Sequence, residues 1–109
     1  MAEEIIVVDP IAKIKSNTIC YTAEKDKPIS VNIAKHPQFI SNEYIDGQGI
    51  FTFKNKITSI PEKAFFDCSK LDSIIIPESV TEIRNSVFTR SDYLKMVYCQ
   101  STTPPTLGN

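Results

Sequence analysis

The chain has 109 residues and nearly balanced charge, with 12 basic and 13 acidic side chains and a formal net charge of −1. This length predicts a single domain, and the basic residues are scattered singly, apart from Lys25 and Lys27, without a stripe that would bind nucleic acid. No apolar run approaches the roughly 18 residues that a helix needs to cross a bilayer, so no membrane span is expected.

The N-terminal segment MAEEIIVVDP is acidic where a secretory signal is basic, and its apolar run extends only from Ile5 to Val8. The sequence therefore predicts no signal peptide. Either the chain acts in the cell that made it, or a signal has been removed. Residues 1–17 are predicted to form a leader, in which Ile5–Val8 is either an edge strand or disordered.

Residues 18–56 are predicted to form a β-rich N-terminal cap and the first strand of the following repeats. The segment TICYTAEKDKPISVNI is typical of two strands around a polar turn at residues 24–28. Farther along, Asp46-Gly47 lies between apolar runs, which indicates a hairpin. This hairpin would deliver the chain into the strand Phe51–Phe53.

Apolar residues recur at an offset of 23 positions in the second half of the chain. The offset aligns seven pairs in which both members are apolar, whereas the positions between them differ freely. The pairs are Ile57 with Val80, Ile60 with Ile83, Ala64 with Val87, Phe65 with Phe88, Leu71 with Leu94, Ile74 with Val97, and Ile76 with Cys99. This pattern is typical of apolar side chains that stack in the core from one repeat to the next, while the surface positions between them vary. It predicts structural repeats over residues 57–103.

The offset also makes Phe51–Phe53, Ile74–Ile76 and Val97–Cys99 equivalent, and their period-two alternation predicts three stacked parallel strands. Between strands, PEKAFFD and RNSVFTR are predicted to be short helical turns, since Pro61 suits a first helical position. The patterns Leu71-x-x-Ile74-x-Ile76 and Leu94-x-x-Val97-x-Cys99 match the L-x-x-L-x-L strand signature of leucine-rich repeats. The predicted fold class is therefore an α/β repeat, a short leucine-rich-repeat solenoid of about two and a half 23-residue repeats with a β-rich N-terminal cap.

The stretch ITSIPEKAFFDCSKLDSIIIPESVTEI resembles the BspA-type leucine-rich repeat of bacterial cell-surface proteins, with the consensus I-x-x-I-G-x-x-A-F-x-x-C-x-x-L-x-x-I-x-I-P-x-S-V. The segments ICYTAEKDKPI and FISNEYIDGQGIFTF resemble the cap of such arrays, and VYCQSTTPPTLG resembles their ending. The resemblance covers roughly residues 18–108. The chain departs from the consensus Gly at Pro61 and Arg84, from Ala at Val87 and from Cys at Ser91.

Pro104-Pro105 cannot donate backbone hydrogen bonds and fixes an extended path, so residues 104–109 are predicted to terminate the ladder. The cysteines Cys20, Cys68 and Cys99 lack the close pair typical of zinc sites. They are interpreted either as three buried thiols that pack as small hydrophobic side chains, or as one disulfide and one free thiol. No metal and no other cofactor is predicted.

No arrangement typical of an enzyme is present. His36, the single histidine, lies in a predicted loop and is expected to be an ordinary exposed or cap-packed side chain, because a triad would need further partners. The carboxylates Glu62, Asp67, Asp72 and Glu78 are dispersed along an array with no predicted pocket. We therefore expect no catalytic residue.

The positions that point away from the ladder define a candidate binding face. They are Ile50, Thr52, Lys54, Ser73, Ile75, Pro77, Met96, Tyr98 and Gln100, of which the candidate partner-binding residues are Ile50, Thr52, Ser73, Ile75, Met96 and Tyr98. Four large apolar side chains on one exposed sheet face favour recognition. The alternatives are that a partner subunit or the cap covers them, or that they are exposed without a binding role. The family resemblance implies a module that mediates protein–protein contact or adhesion at the bacterial cell surface. The sequence itself does not identify the ligand, for which a protein is expected and a glycan is the alternative. The alternative is a structural domain that self-associates into a homo-oligomer or decorates a larger particle.

Overall fold

A computed structural model describes residues 6–8, 13–24, 28–29, 31–101 and 105–108. Within these residues, regular structure consists of β-strands and a short 3₁₀ helix at Asn32–Lys35. The strands are β1 (Ile6–Val8), β2 (Thr18–Ala23), β3 (Phe39–Ile45), β4 (Gln48–Phe53), β5 (Ser59–Ile60), β6 (Leu71–Ile76), β7 (Glu82–Ile83), β8 (Met96–Cys99) and β9 (Thr106–Leu107).

The strands form a six-stranded sheet in the order β1-β8-β6-β2-β4-β3 and a three-stranded sheet in the order β5-β7-β9. The parallel pair β6–β8 places Ile74 opposite Val97, and the parallel pair β5–β7 places Ile60 opposite Ile83. Both pairs have the 23-residue offset of the sequence. The apolar period is therefore the register of the parallel strands.

Strand β2 separates the first of the three predicted equivalent strands from the other two. It runs antiparallel to both neighbours, with Tyr21 opposite Gly49 in β4 and opposite Ile74 in β6. The Tyr21 ring occupies the space that a Cβ at position 49 would need, so glycine permits this close pairing. The expected stacking of Phe51–Phe53 directly on Ile74–Ile76 is thus wrong.

The segments PEKAFFD and RNSVFTR are chains of turns, not helices. The N–H of Phe65 donates to the Val87 carbonyl at 3.0 Å, and the N–H of Asp67 donates to the Thr89 carbonyl at 2.8 Å. An α-helix would direct these donors to carbonyls four residues back in the same segment. Here they join one repeat to the next.

The backbone conformation of these turns explains why a helix cannot form. Lys63 and Asp67 have φ of 59° and 57°, and their equivalents Ser86 and Arg90 have φ of 58° and 65°. A left-handed residue interrupts a right-handed helix. The described residues contain no α-helix, so the predicted α/β repeat solenoid is wrong. The fold is β-rich and consists of two sheets.

The N-terminal cap follows its predicted plan in part. Asp46 and Gly47 have φ of 52° and 79° and connect β3 to β4, which confirms the hairpin and matches the turn type with two positive φ values. The second strand predicted around the polar turn is absent at the described positions, because Ile29 and Val31 lie outside the strands and the 3₁₀ helix follows. Residues 25–27 and 30 lie outside the described residues.

The core confirms the repeat pattern, since both members of all seven apolar pairs are buried. The rings of Phe65 and Phe88 stack with centroids 5.9 Å apart and an interplanar angle of 12°, as expected for side chains one repeat apart. Phe65 also lies 5.8 Å from Phe51, which connects the repeats to the cap. The two halves of the chain therefore share one hydrophobic core.

The C-terminal segment continues a ladder, contrary to expectation. Thr106 donates its N–H to the Thr81 carbonyl at 3.0 Å, and β9 pairs in parallel with β7. Pro105 is described but Pro104 is not. Pro105 lacks a donor of its own but does not prevent the next two residues from pairing, so the prediction that the tail cannot extend a ladder is wrong.

Candidate functional site

The six-stranded sheet has one face on the core and one open face. Ile19, Phe51, Ile74 and Val97 point into the core and are each 0% exposed. Alternating residues on β4, β6 and β8 point the opposite way and are half-buried. Because successive side chains of a strand point to opposite faces, these residues form the second face of the sheet, on which they are only partly exposed.

A continuous row of side chains crosses this open face over four strands. Tyr98 lies opposite Ile75, Ile75 opposite Cys20, and Cys20 opposite Ile50. Neighbouring strands are about 4.8 Å apart, so the row extends over roughly 14 Å. Directly opposed residues share a face, and the row therefore joins three predicted site residues through one residue of β2.

The other predicted site residues belong to flanking rows. Thr52 lies opposite Thr18, and Ser73 lies between Thr22 on one side and Met96 on the other. We define the open face by nine residues. They are Thr18, Cys20, Thr22, Ile50, Thr52, Ser73, Ile75, Met96 and Tyr98. The structure thus places all six candidate partner-binding residues on one face, with β2 between them.

Two residues predicted to point outward do not. Pro77 is buried, and Gln100 is 3% exposed. The Oε1 atom of Gln100 accepts a hydrogen bond from the Ile14 N–H at 2.8 Å. The chain at residues 13–17 passes the end of β6 and β8, where Ser79 Oγ donates to the Ser16 carbonyl at 3.5 Å. This crossing segment covers the positions that the repeat pattern left open. Lys54 is exposed as predicted.

Sequence reasoning missed the contribution of β2 to the open face. The alternation Thr18-Ile19-Cys20-Tyr21-Thr22 indicates a strand with one apolar face, but a period of two does not identify the neighbouring strands. In the structure, the Thr22 and Ser73 hydroxyls lie 2.6 Å apart and form a hydrogen bond across the β2–β6 pair. The centre of the face is therefore supplied by the cap.

Cys20 lies in the middle of the row but is only 5% exposed. Burial raises the pKa of its thiol, and a hydrogen bond with Thr18 opposes this effect. All three cysteines are free and buried, which confirms the interpretation of three thiols and excludes a disulfide in this structure. Cys20 contributes to the face as a small neutral side chain between Ile50 and Ile75.

The described residues offer no metal site and no helix that could span a membrane. No three His, Cys, Asp or Glu side chains among them are arranged to hold an ion, and no helix in this part of the chain is long and apolar enough to cross a bilayer. His36 packs its ring against Phe53, with centroids 5.4 Å apart, and its Nδ1 accepts the Gln38 N–H at 3.0 Å. It is a cap-packed side chain, as predicted.

Comparison with protein families gave one relevant match. The family model of the BspA type Leucine rich repeat region (6 copies) matches residues 48–105. The matched region begins at β4 and includes β5 to β8, and therefore both copies of the apolar ladder. Comparisons with curated proteins and with solved structures gave no match.

Proposed function

Since this chain belongs to the BspA-type leucine-rich repeat family, we propose that it is a non-enzymatic module that binds a protein partner through its open face. The observation that carries this proposal is the row of Tyr98, Ile75, Cys20 and Ile50 across four strands. An apolar row with a polar surround of Thr and Ser side chains has the composition of a recognition surface.

Two features of the open face support recognition of another protein. The parallel and antiparallel strands hold the side chains at fixed spacing, so little conformational entropy is lost on binding. Tyr98 supplies an aromatic group, and aromatic residues dominate the binding energy of many interfaces. Family membership supports a location at the bacterial surface, where adhesion would be the role of such contact. Protease treatment of intact cells, followed by immunodetection of the chain, tests this location.

The double variant Ile75→Ser with Tyr98→Ser tests the binding face. We expect it to lose capture of a protein partner from surface and secreted protein fractions, because it removes the two large side chains from the row. Its melting temperature should stay close to that of the wild type, because substitutions outside the core usually change stability by about 0.5 kcal/mol or less. Early unfolding of the variant would show that these side chains belong to the core and would contradict the proposal.

The chain offers a matched control for this experiment. Leu107 is 51% exposed and lies on β9 in the three-stranded sheet, away from the row. The variant Leu107→Ser likewise replaces an apolar side chain by serine, but elsewhere on the surface. We expect it to retain capture of the partner, and the opposite result would exclude the open face as the binding site.

A second candidate function is self-association, which the edge strand β3 favours. Ile40 and Ile45 are 60% and 52% exposed, and both lie on this strand at the margin of the six-stranded sheet. Exposed apolar residues on an edge strand promote pairing between molecules. Light scattering over a range of protein concentrations should show an increase in mass that the variant Ile40→Lys with Ile45→Lys abolishes. A constant monomeric mass would contradict this candidate.

A further inference from the structure

A cleft of about 420 Å³ lies where β2 ends and where β6 and β8 begin. Its floor includes Ala23 and Leu71, which are 7% and 0% exposed. Its walls carry two pairs of opposite charge. Lys70 Nζ lies 3.6 Å from a carboxylate oxygen of Glu24, and Lys95 Nζ lies 3.5 Å from one of Asp72. The cleft is therefore rich in hydrogen-bonding groups and has no net charge from these four side chains.

A β-bulge directs Asp72 into this cleft. Thr22 lies opposite Ser73 and Ala23 opposite Leu71, so Asp72 is the extra residue on β6. Asp72 and Ser73 are consequently both half-buried, where strict alternation would bury one of them. Bulges commonly re-aim a side chain next to a functional site. The bulge explains why the carboxylate lines a pocket that the repeat pattern did not predict.

Neighbouring groups hold the Asp72 carboxylate in place. Thr22 Oγ1 donates to Asp72 Oδ2 at 3.2 Å, and Lys95 Nζ lies near Oδ1. The backbone is fixed as well, since the Lys95 N–H donates to the Asp72 carbonyl at 2.8 Å. A carboxylate held in this way retains capacity to accept hydrogen bonds from a ligand.

Tyr93 forms the aromatic side of the cleft. It is 70% exposed, and its equivalent in the preceding repeat is Lys70 on the opposite wall. A phenol ring presents an apolar face to a ligand and a hydroxyl to water. An exposed ring beside a fixed carboxylate and two ammonium groups offers stacking and hydrogen bonding to the same ligand.

We propose that this cleft binds a saccharide, with one face of a sugar ring stacked on Tyr93 and its hydroxyls bonded to Asp72. A sugar ring has an apolar face of C–H groups and a rim of hydroxyls that donate and accept hydrogen bonds, which matches the two kinds of surface in the cleft. The balanced charge favours a neutral sugar over an anion or a cation. This site adjoins the open face at Thr22, but its lining residues are different and it does not depend on the proposed protein partner.

The proposal can be tested by titrating the full chain with neutral sugars and monitoring the amide chemical shifts by NMR. The probes are methyl β-galactoside, methyl α-mannoside and N-acetylglucosamine, each tested up to saturation or to its solubility limit. We expect at least one probe to shift the amides of Tyr93, Lys95 and Lys70 with millimolar affinity. If none of the three shifts these amides, the proposal is wrong.

Variants separate ring stacking and hydrogen bonding from folding. Tyr93→Ala should weaken binding about tenfold or more, while Tyr93→Phe should retain it because the ring is kept. Asp72→Asn should weaken sugar binding, and its NMR spectrum should remain that of a folded protein. Ile75→Ser with Tyr98→Ser, which changes the open face, should bind sugar as the wild type does. Unchanged binding by Tyr93→Ala, or the same amide shifts with a random peptide mixture and none with sugars, would overturn the proposal.

Discussion

Phe65 occupies the position where the core of the cap meets the core of the repeats. Its ring lies 5.8 Å from that of Phe51 and 5.9 Å from that of Phe88, and it is 0% exposed. Removing a large buried side chain forfeits its transfer free energy and leaves a cavity. The apolar period predicted this burial from sequence. It could not predict the contact with Phe51, because no periodicity relates the two positions.

Phe65→Ala should lower the free energy of unfolding by about 3–5 kcal/mol. A suitable control is Phe66→Ala, since Phe66 is half-buried and lies beside the Lys63 ammonium, 5.5 Å from the ring centroid. Urea denaturation of both variants measures the difference. A loss of less than about 1 kcal/mol for Phe65→Ala would be too small for a cavity in the core and would contradict the register.

Cys99 makes stability sensitive to alkaline pH. Burial raises the pKa of its thiol from 9.0 to about 11. Between these values the unfolded chain releases the proton while the folded chain retains it, so stability is fully present below pH 9 and falls as pH rises toward 11. Cys20 and Cys68 have pKa values raised by burial in the same direction.

Cys99→Val isolates the contribution of Cys99, since Val is of similar size and does not titrate. The wild type should lose about 2–3 kcal/mol more than this variant between neutral pH and about pH 11. Urea denaturation at the two pH values gives the comparison. Equal alkaline losses in the two proteins would show that Cys99 does not titrate as its burial predicts.

At the scale of the elements, the turns between strands show what an apolar pattern can and cannot specify. The pairs Ala64-Phe65 and Val87-Phe88 are buried as the 23-residue offset predicted. Their burial is equally compatible with a helical turn and with the observed turns, because both place two adjacent apolar residues inward. Hydrogen bonds from Phe65 and Asp67 to the next repeat stabilise the observed turns over a helical turn. The sequence of a single repeat does not predict these hydrogen bonds.

Ser86 provides a test of the left-handed turns. Its φ of 58° is unfavourable for a residue with a Cβ by about 1–2 kcal/mol, whereas glycine costs about 0.5–1 kcal/mol in lost conformational freedom. Ser86→Gly should therefore raise the free energy of unfolding by up to about 1 kcal/mol. Ser69→Gly makes the same change in a turn at a position without a positive φ, and should lower it by about 0.5–1 kcal/mol. Thermal melts measure the stability of both variants. If Ser86→Gly and Ser69→Gly changed the stability in the same direction, this explanation of the turns would be wrong.

Sequence patterns also could not predict the position of β2 in the six-stranded sheet. The hairpin β3–β4 is local and its Asp46-Gly47 turn is specific, and the pairing β6–β8 follows from the repeat. Strand β2 instead pairs with β6 at a separation of about fifty residues, and its own alternation fits several neighbours. For the same reason, the repeat pattern predicted six residues of the open face but not Thr18, Cys20 and Thr22, which β2 contributes.

At the scale of the molecule, β2 connects the cap to the repeats through two ladders. It is hydrogen-bonded to β4 on one side and to β6 on the other, and its second residue, Ile19, is 0% exposed. A central strand of this kind cannot leave the sheet without breaking both pairings. The cap and the repeats should therefore unfold together and not as separate units.

Native-state hydrogen exchange measures this cooperativity. The amides of β2, β4 and β6 should exchange only through global unfolding, with one common free energy and one common dependence on urea, while those of the outer strands β3 and β9 should exchange earlier through local opening. Ile19→Ala, which weakens the strand shared by both parts, should lower the protection of β4 and β6 amides equally, by about 2–5 kcal/mol. If the β4 amides lost protection while those of β6 kept it, the cap would be an independent unit attached to the repeats, and the single core formed across Phe51 and Phe65 would not control the stability of the molecule.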